Sequence, residues 1–274
     1  MLSKTEPFSV LISIYFKENT EYLSTALNSI WDRQTLKPSE IIIVKDGLLT
    51  EELDSVIDDF KKEAPVKVVV LEKNVGLGVA LAKGLEQCSH EIVARMDGDD
   101  ISVPERFEKQ ISFLSDNSDI AFTSSNIAEF HENIELISGI REVPKTSDSI
   151  ITFAKKRNPM NHMAVAFRKS AVLDVGNYIT FHGYEDYYLW VRLLLKGYKG
   201  SNLNENLIYA RVGNNMLSRR QGIKFFKQEL KLQNQFYSLK FINKIEFIRN
   251  LCLRAIPRLM PIWALTLVYK KLRK

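Results

Sequence analysis

Four short apolar runs, separated by helical stripes, constrain this chain more than any other feature. Phe8 to Phe16, Glu40 to Asp46, Val66 to Leu71 and Glu91 to Met96 are rich in Val and Ile and read as buried strands. Between the first two, Leu23, Ala26, Leu27 and Ile30 share one helical face, and Pro38 closes that unit. Leu53, Val56, Ile57 and Phe60 form a second stripe, and Asn74 to Gly84 starts polar and glycine-rich before turning helical. Strands alternating with helices predict an α/β fold with a mostly parallel central sheet and helices on both faces. Ligands of such sheets bind at the carboxyl ends of the strands, near a switch in strand order. Asp46 and Asp97 both fall at that edge.

The fourth run ends in Asp97-Gly98-Asp99-Asp100, three carboxylates within four positions. Carboxylates so close repel one another, and a cation or a phosphate-bound cation relieves that repulsion. A solvated Asp/Gly turn and a helix cap are the plainer readings of such residues. A second acidic point, Glu185-Asp186, stands just before an apolar helical segment; there the competing reading is a charge-favoured helix start.

After Pro104, Phe107, Ile111 and Leu114 indicate another helix, and Asp119 to Ser124 a further strand. The stretch 125–158 is polar and weakly periodic, and no architecture is assigned to it. Met163 to Phe167 is strand-like. Tyr184 to Leu195 reads as a helix with Tyr188, Val191, Leu194 and Leu195 inward, and Leu207 to Arg211 as a short strand. Trp31 and Trp190 are expected in the core. From Gln221 onward the composition is helical, and no internal repeat is present.

At 274 residues the chain is long enough for one α/β domain with an appendage. Its net charge of +5 is uneven, with Lys and Arg gathered in the last fifty residues. A basic balance suggests an anionic partner, but no nucleic-acid reading motif accompanies it. The two cysteines, Cys88 and Cys252, make neither a disulfide scaffold nor a thiolate metal set, and fit a reducing compartment. The N-terminus shows no signal segment, and the uncharged run Leu259 to Tyr269 is too short to span a bilayer.

Taken in order, Ser9-Val-Leu-Ile-Ser-Ile-Tyr, Ser29-Ile-Trp-Asp-Arg-Gln-Thr, Glu40-Ile-Ile-Ile-Val-Lys-Asp-Gly47, Asn74 to Gly84, Asp97-Gly-Asp-Asp100 and Gly183-Tyr-Glu-Asp-Tyr-Tyr-Leu-Trp190 resemble a family 2 glycosyltransferase. The resemblance covers residues 8 to about 215 and implies the nucleotide-diphospho-sugar transferase fold known as GT-A. Asn158-Pro-Met-Asn-His-Met163 and Arg211 to Arg220 carry a closer likeness to bacterial O-antigen and capsule transferases. These often add galactose or glucose, frequently in β-1,3 linkage, to a sugar on undecaprenyl diphosphate. The implied organisation is a catalytic domain over 1–220, with a nucleotide-sugar half to about residue 100 and an acceptor half after it. A basic, amphipathic helical region over 221–274 follows.

The resemblance also implies roles. Asp46 matches the acid that reads the donor's uracil. Asp97 matches the first acid of the metal motif, on the ribose side, and Asp99 the direct ligand of Mn²⁺ or Mg²⁺. Asp100 stands beside it as an acceptor-side or supporting acid. Asp186 matches the catalytic base, with Glu185 its partner, and Glu18 approaches the nucleotide from the loop after the first strand. Lys45 replaces a common second acid, and Gly213 stands where many relatives carry a histidine.

The chemistry agrees with these roles. A divalent ion offsets charge growing on a uridine diphosphate leaving group, and a carboxylate base activates an acceptor hydroxyl. One base without a carboxylate nucleophile means single displacement with inversion. His162 has no ligand-spaced His or Cys neighbour; it is read either as a hydrogen-bonding group near acceptor or diphosphate, or as structural. Arg219 and Arg220 are read as holding a diphosphate, against the alternative of a solvated basic loop.

The implied reaction is transfer from UDP-galactose or UDP-glucose to a lipid-diphosphate-linked saccharide, with N-acetylglucosamine as the candidate acceptor sugar. Two other classes compete. A metal-dependent nucleotidyltransferase prefers a basic triphosphate loop, for which Lys17 alone hardly suffices. A non-catalytic scaffold with a transferase fold has no need of Asp99 and Asp186. Phe241, Ile245, Ile248, Leu251 and Ala255 are expected to share a helical face, with Pro257 and Pro261 breaking the helix. With Trp263, Tyr269 and the terminal Lys270, Lys271, Arg273 and Lys274, this suits an anionic membrane surface. The expected location is cytoplasmic, peripheral on the inner face of the bacterial plasma membrane. Packing of this face on the catalytic domain or on a second subunit is the alternative, and homo-oligomerisation stays open.

Overall fold

The computed structural model describes residues 6–213 and 222–259. It divides into two compact units, one of Met1–Phe153 with Asn158–Arg211 and one of Ala154–Arg157 with Val212–Lys274. In the first unit β1 (Phe8–Ile14), α1 (Thr20–Ile30), β2 (Glu40–Lys45), α2 (Glu51–Phe60), β3 (Val66–Val70), α3 (Leu77–Gln87) and β4 (Ile92–Met96) alternate as expected. Then come β5 (Ile101–Ser102), α4 (Arg106–Asp116), β6 (Ile120–Thr123), β7 (Ser125–Phe130), β8 (Ile137–Arg141) and α5 (Ser147–Ala154). A 3₁₀ turn (His162–Ala164), β9 (Ala166–Arg168), α6 (Lys169–Asp174), α7 (Glu185–Lys196), β10 (Lys199–Gly200) and β11 (Leu203–Arg211) complete it.

The main sheet runs β10-β6-β9-β4-β1-β2-β3. All its pairings are parallel except those of β9, which is antiparallel to both β4 and β6. Successive residues of a strand face opposite sides, and the core divides accordingly. Val10, Ile12, Ile41 and Ile43 pack with Leu23, Leu27 and Ile57 on one face. Leu11, Ile42 and Val44 pack with Leu81, Leu85, Leu189 and Trp190 on the other. Burial on both faces is why the central strands are continuous apolar runs. The chain leaves β1 for β2 on one side, and after β3 it crosses back through α3 to β4 on the other side of β1. Strand order therefore reverses between β1 and β4, which opens a crevice at their carboxyl ends. This mixed α/β architecture is a GT-A-like fold with a helical C-terminal extension.

A second sheet, β5-β11-β7-β8, accounts for the unassigned stretch. Its signal is hidden because β7 buries polar residues. Asn161 Nδ2 donates to Ser125 O at 2.8 Å, and Val143 N donates to Asn126 Oδ1 at 3.0 Å. β8 is an edge strand with exposed Ile137 and Ile140. Two expectations need correction. Met163 to Phe167 is not one strand, since a 3₁₀ turn occupies its first half and β9 begins at Ala166. The buried side of α7 is Tyr187, Leu189, Trp190, Val191 and Leu193, while Tyr188 and Leu194 are half-buried and Leu195 is exposed. Trp190 is in the core as expected; Trp31 is half-buried against it, beneath Lys37.

The second unit holds α8 (Ile223–Ser238) and α9 (Lys244–Asn250), the latter opened by a capping box between Asn243 and Glu246. Ahead of Pro257 the α-helix ends and passes into a π turn (Leu251–Ala255) and a 3₁₀ turn (Ile256–Leu259). The expected shared face does not form. Phe241 and Ala255 are buried, whereas Ile245 and Ile248 are exposed. Among the described residues no helix is long and apolar enough to cross a membrane. Trp263, Tyr269 and the terminal basic residues lie outside the described residues.

Candidate active site

The crevice collects most of the predicted residues. Asp46 directly follows β2 and is buried. Its Oδ1 accepts from Val75 N at 2.7 Å and its Oδ2 from Gly76 N at 3.1 Å. Gly47 has φ +89°, and a Cβ there would lie 2.6 Å from Asn74 N, so the loop before α3 packs directly on this corner. A carboxylate oxygen has two lone-pair sites, so Asp46 holds the loop and keeps acceptor capacity for a ligand N–H. Lys45 pairs outward with Asp54 at 2.6 Å.

Asp97, Asp99 and Asp100 follow β4, with one carboxylate oxygen of each lying within 4.8 Å of the others. Asp97 is gripped at both oxygens by the buried guanidinium of Arg95, with Nη1 to Oδ2 at 2.7 Å and Nη2 to Oδ1 closer still. Burial first and Asp97 second push the Asp99 carboxyl up to about 6. Burial, then Asp97 and Asp99, hold Asp100 well above the usual carboxylate range. Arg211 N donates to Asp100 Oδ1 at 2.8 Å, but Asp100 Oδ2 is buried with no hydrogen-bond partner. An all-oxygen donor set, mutual repulsion and an orphaned buried oxygen fit a hard divalent cation. The cluster is thus able to coordinate one.

Glu18 lies beside this group. A Cβ on Gly98 would come within 3.7 Å of the Glu18 carboxyl carbon. Burial, then Asp99 and Asp97, push Glu18 up to about 7. Glu185 and Asp186 open α7. Asp186 Oδ2 accepts from Asn158 Nδ2 at 2.6 Å, which fixes its direction. Glu185 is buried against α3, where a Cβ on Gly78 would lie 2.7 Å from its Cγ, and burial raises its carboxyl. Tyr178 links the two acidic points. Burial raises its hydroxyl most, and Asp186 and Asp97 both raise it further.

His162 Nε2 meets Tyr178 Oη at 3.0 Å, and its ring stands edge-on to Trp190. Burial, then Arg95, holds the imidazole well below its usual value, so it is neutral at pH 7. Its polar partner is the hydroxyl of Tyr178, itself buried in the core. Arg219 and Arg220 lie outside the described residues.

Sequence reasoning missed Arg95, Arg211, Tyr178 and Asn158. Arg95 carried a readable signal. A charge inside a buried strand needs a partner, and residue i+2 lies on the same face. Arg211 joins β11 to the acid loop, donating from Nε to Asp99 O at 3.2 Å, with its guanidinium 3.6 Å from the Tyr22 ring centroid. Nothing in its local sequence marks that role.

Residues 9–175 match the family described as glycosyl transferase family 2. The chain belongs to this family. It is 41% identical to an Escherichia coli UDP-Gal:α-D-GlcNAc-diphosphoundecaprenol β-1,3-galactosyltransferase, over 99% of this chain and 98% of the relative. It is 40% identical to the amylovoran biosynthesis glycosyltransferase AmsE of Erwinia amylovora, over 97% and 99% respectively. Among solved structures, S. aureus TarS 1–349 in complex with UDP-GlcNAc matches 92% of this chain and 72% of its own. The TM-score there is 0.69 at 16% identity, a likeness of fold. The chain is thus a glycosyltransferase that moves a sugar from a nucleotide-sugar donor, similar to bacterial O-antigen and capsule transferases.

Proposed function

We propose that this enzyme transfers a hexose, galactose or glucose, from its UDP conjugate to a lipid-diphosphate-linked saccharide, with N-acetylglucosamine as the accepting sugar. The observation that carries the reading is the 41% identity, over nearly the whole of both chains, to a transferase named for that donor and acceptor. The buried Asp46 at the end of β2 supports a uracil contact, since its carboxylate keeps lone pairs free beside two backbone N–H groups. A divalent ion at Asp99, with Asp97 and Asp100 alongside, would offset the charge gathering on the departing diphosphate. Asp186 accepts the proton of the acceptor hydroxyl as that oxygen attacks, and Asn158 keeps the carboxylate aimed. Attack from the face opposite the leaving group inverts the anomeric centre. Arg219 and Arg220 are assigned to a diphosphate of donor or acceptor. The place of reaction in this reading is the inner face of the bacterial plasma membrane.

Purified enzyme with UDP-Gal, UDP-Glc and UDP-GlcNAc, each offered with a synthetic GlcNAc-diphospho-lipid, tests the assignment. Transfer of galactose or glucose to the lipid, with a β product by NMR coupling, is the expected result. Transfer only to free soluble saccharides overturns the acceptor, and an α product from an α-linked donor overturns single displacement.

A further inference from the structure

The second unit carries an apolar stripe that its own packing leaves uncovered. Ile245, Ile248, Leu253, Ile256 and Leu259 are between 51% and 80% exposed, and Cys252 among them is exposed too. The opposite side of the same run is occupied. Asn250 is buried and donates to Gln233 Oε1 at 2.8 Å and to Lys155 O at 2.9 Å, and Ala255 is fully buried. Arg254 Nε donates to the fully buried Glu229 at 2.6 Å. The change from α through π to 3₁₀ winding keeps these two sides separate across residues 245–259, because the wider π turn delays rotation and the tighter 3₁₀ turn restores it. The run is therefore one amphipathic ribbon held by its polar side.

Charge indicates what meets the apolar side. Residues 222–259 hold eight Lys and Arg against two Glu, and residues 260–274 add four more basic residues and no acid. The chain's net +5 thus consists of +10 after residue 221 and −5 before it. A second copy of this chain would bring an equally basic C-terminal unit against this one, which like-charge repulsion opposes. An anionic lipid surface matches both features, taking the isoleucines and leucines into the headgroup boundary and the unit's exposed lysines, Lys224, Lys227, Lys231, Lys240 and Lys244, onto its charge.

We infer that residues 245–259 form a membrane-docking ribbon for an anionic bilayer. For its biological occasion the inference rests on the lipid-linked acceptor proposed above, but its test contains no acceptor, so the two readings fail separately.

The full-length protein is sedimented with phosphatidylcholine vesicles and with vesicles that also contain phosphatidylglycerol. Binding is expected to the second, to weaken in high salt, and to fall at least about tenfold in the triple variant Ile245→Glu, Leu253→Glu, Ile256→Glu. These positions are exposed, so the variant is expected to fold, with unchanged transfer to a short-chain soluble acceptor as its control. A dye on Cys252, the exposed thiol where Cys88 is buried, should shift to the blue on the same vesicles and not in their absence. Undiminished sedimentation of the triple variant overturns the inference, as does equal binding to neutral vesicles. A vesicle-free dimer that the triple variant dissolves assigns the stripe to a second copy instead. A Cys252 thiol unreactive in the vesicle-free protein assigns the stripe to intramolecular cover, such as the terminal segment.

Discussion

Replacing Arg95 by methionine isolates the part of the site that holds its shape before any ligand arrives. Methionine keeps the unbranched stem and removes the guanidinium that clasps both oxygens of Asp97. Breaking a buried ion pair by deleting one partner costs about 3–5 kcal/mol. Here the orphan is Asp97, whose side chain is 30% exposed, so water recovers part of the loss. The expected cost is then about 2–3 kcal/mol, or roughly 4–6 °C in melting temperature for a chain of this size. A second consequence sharpens the test. Arg95 also lowers the carboxyls of Asp99 and Glu18, so its loss leaves the acid cluster more self-repelling. Added Mn²⁺ should accordingly return more stability to the variant than to the wild type, because a bound cation replaces the missing positive charge. Urea unfolding with and without Mn²⁺ measures both effects. The double variant with Asp97→Asn should show a coupling of at least about 1.5 kcal/mol. Unfolding midpoints within about 0.5 kcal/mol of wild type, with no coupling to Asp97, would refute the reasoning.

Asp99→Ala should lower turnover at least ~100-fold; full activity of that variant in chelator removes Asp99 from the metal site. Asp186→Asn keeps size and the Asn158 neighbour but cannot accept a proton, so UDP-sugar affinity by calorimetry should hold while transfer falls at least ~100-fold. Wild-type turnover there excludes Asp186 as the base. The pH dependence follows from Asp99 and Glu18, whose carboxyls are raised to about 6 and about 7 from unfolded values near 4. A carboxyl raised in the fold favours folding when protonated, and that contribution disappears as pH rises through its folded value. The metal-free enzyme therefore loses stability from this cluster between about pH 4 and pH 7. A divalent ion should raise the melting temperature more at pH 7.5 than at pH 5.5, where protons compete for the same oxygens. Equal shifts at both pH values count against the acid cluster as the ion's site.

The fold was legible where one physical rule dominated. β1, β2 and β4 are buried on two faces, so their only stable composition is an unbroken apolar run, and such runs are visible without context. Along α1 and α4 one side faces the core, and Leu23, Leu27, Phe107 and Ile111 recur at helical spacing. Legibility failed where two rules crossed. β7 buries Ser125 and Asn126 because groups from other segments meet them, the Val143 backbone N–H on Asn126 Oδ1 and the Asn161 amide on the Ser125 carbonyl, a fact no local window contains. On α7 the buried arc is wide and includes Glu185, which rests on Gly78 of α3; a narrow apolar stripe is the wrong template for a helix that also lines the site. The same limit governs the site. Carboxylates at strand ends announce themselves, but the cations behind them come from distant positions or from residues that pass for strand interior.

Those cations offset part of the negative charge gathered in the pocket. Arg95 neutralises Asp97 directly. Arg106, fully buried, donates to Arg95 O at 2.6 Å and Gln110 Oε1 at 2.9 Å, and burial, then Arg95, lowers it to about 9. Arg211 ties the acid loop from its other side, with its backbone N on Asp100 and its guanidinium on Asp99 O. These contacts are unequal in what they leave open. Asp97 has both oxygens engaged by a guanidinium, Asp100 has one engaged and one buried without a partner, and Asp99 accepts from Arg211 at its backbone carbonyl while its carboxylate takes only a local backbone N–H. The cluster's acceptor capacity is therefore concentrated on the Asp99 carboxylate and one oxygen of Asp100. That is a sparse donor set for a cation, suited to an ion that completes its coordination with phosphate oxygens and water rather than with protein alone. A donor diphosphate and a divalent ion would then each make the other's binding more favourable, so the affinity for the nucleotide sugar and for the metal should rise together.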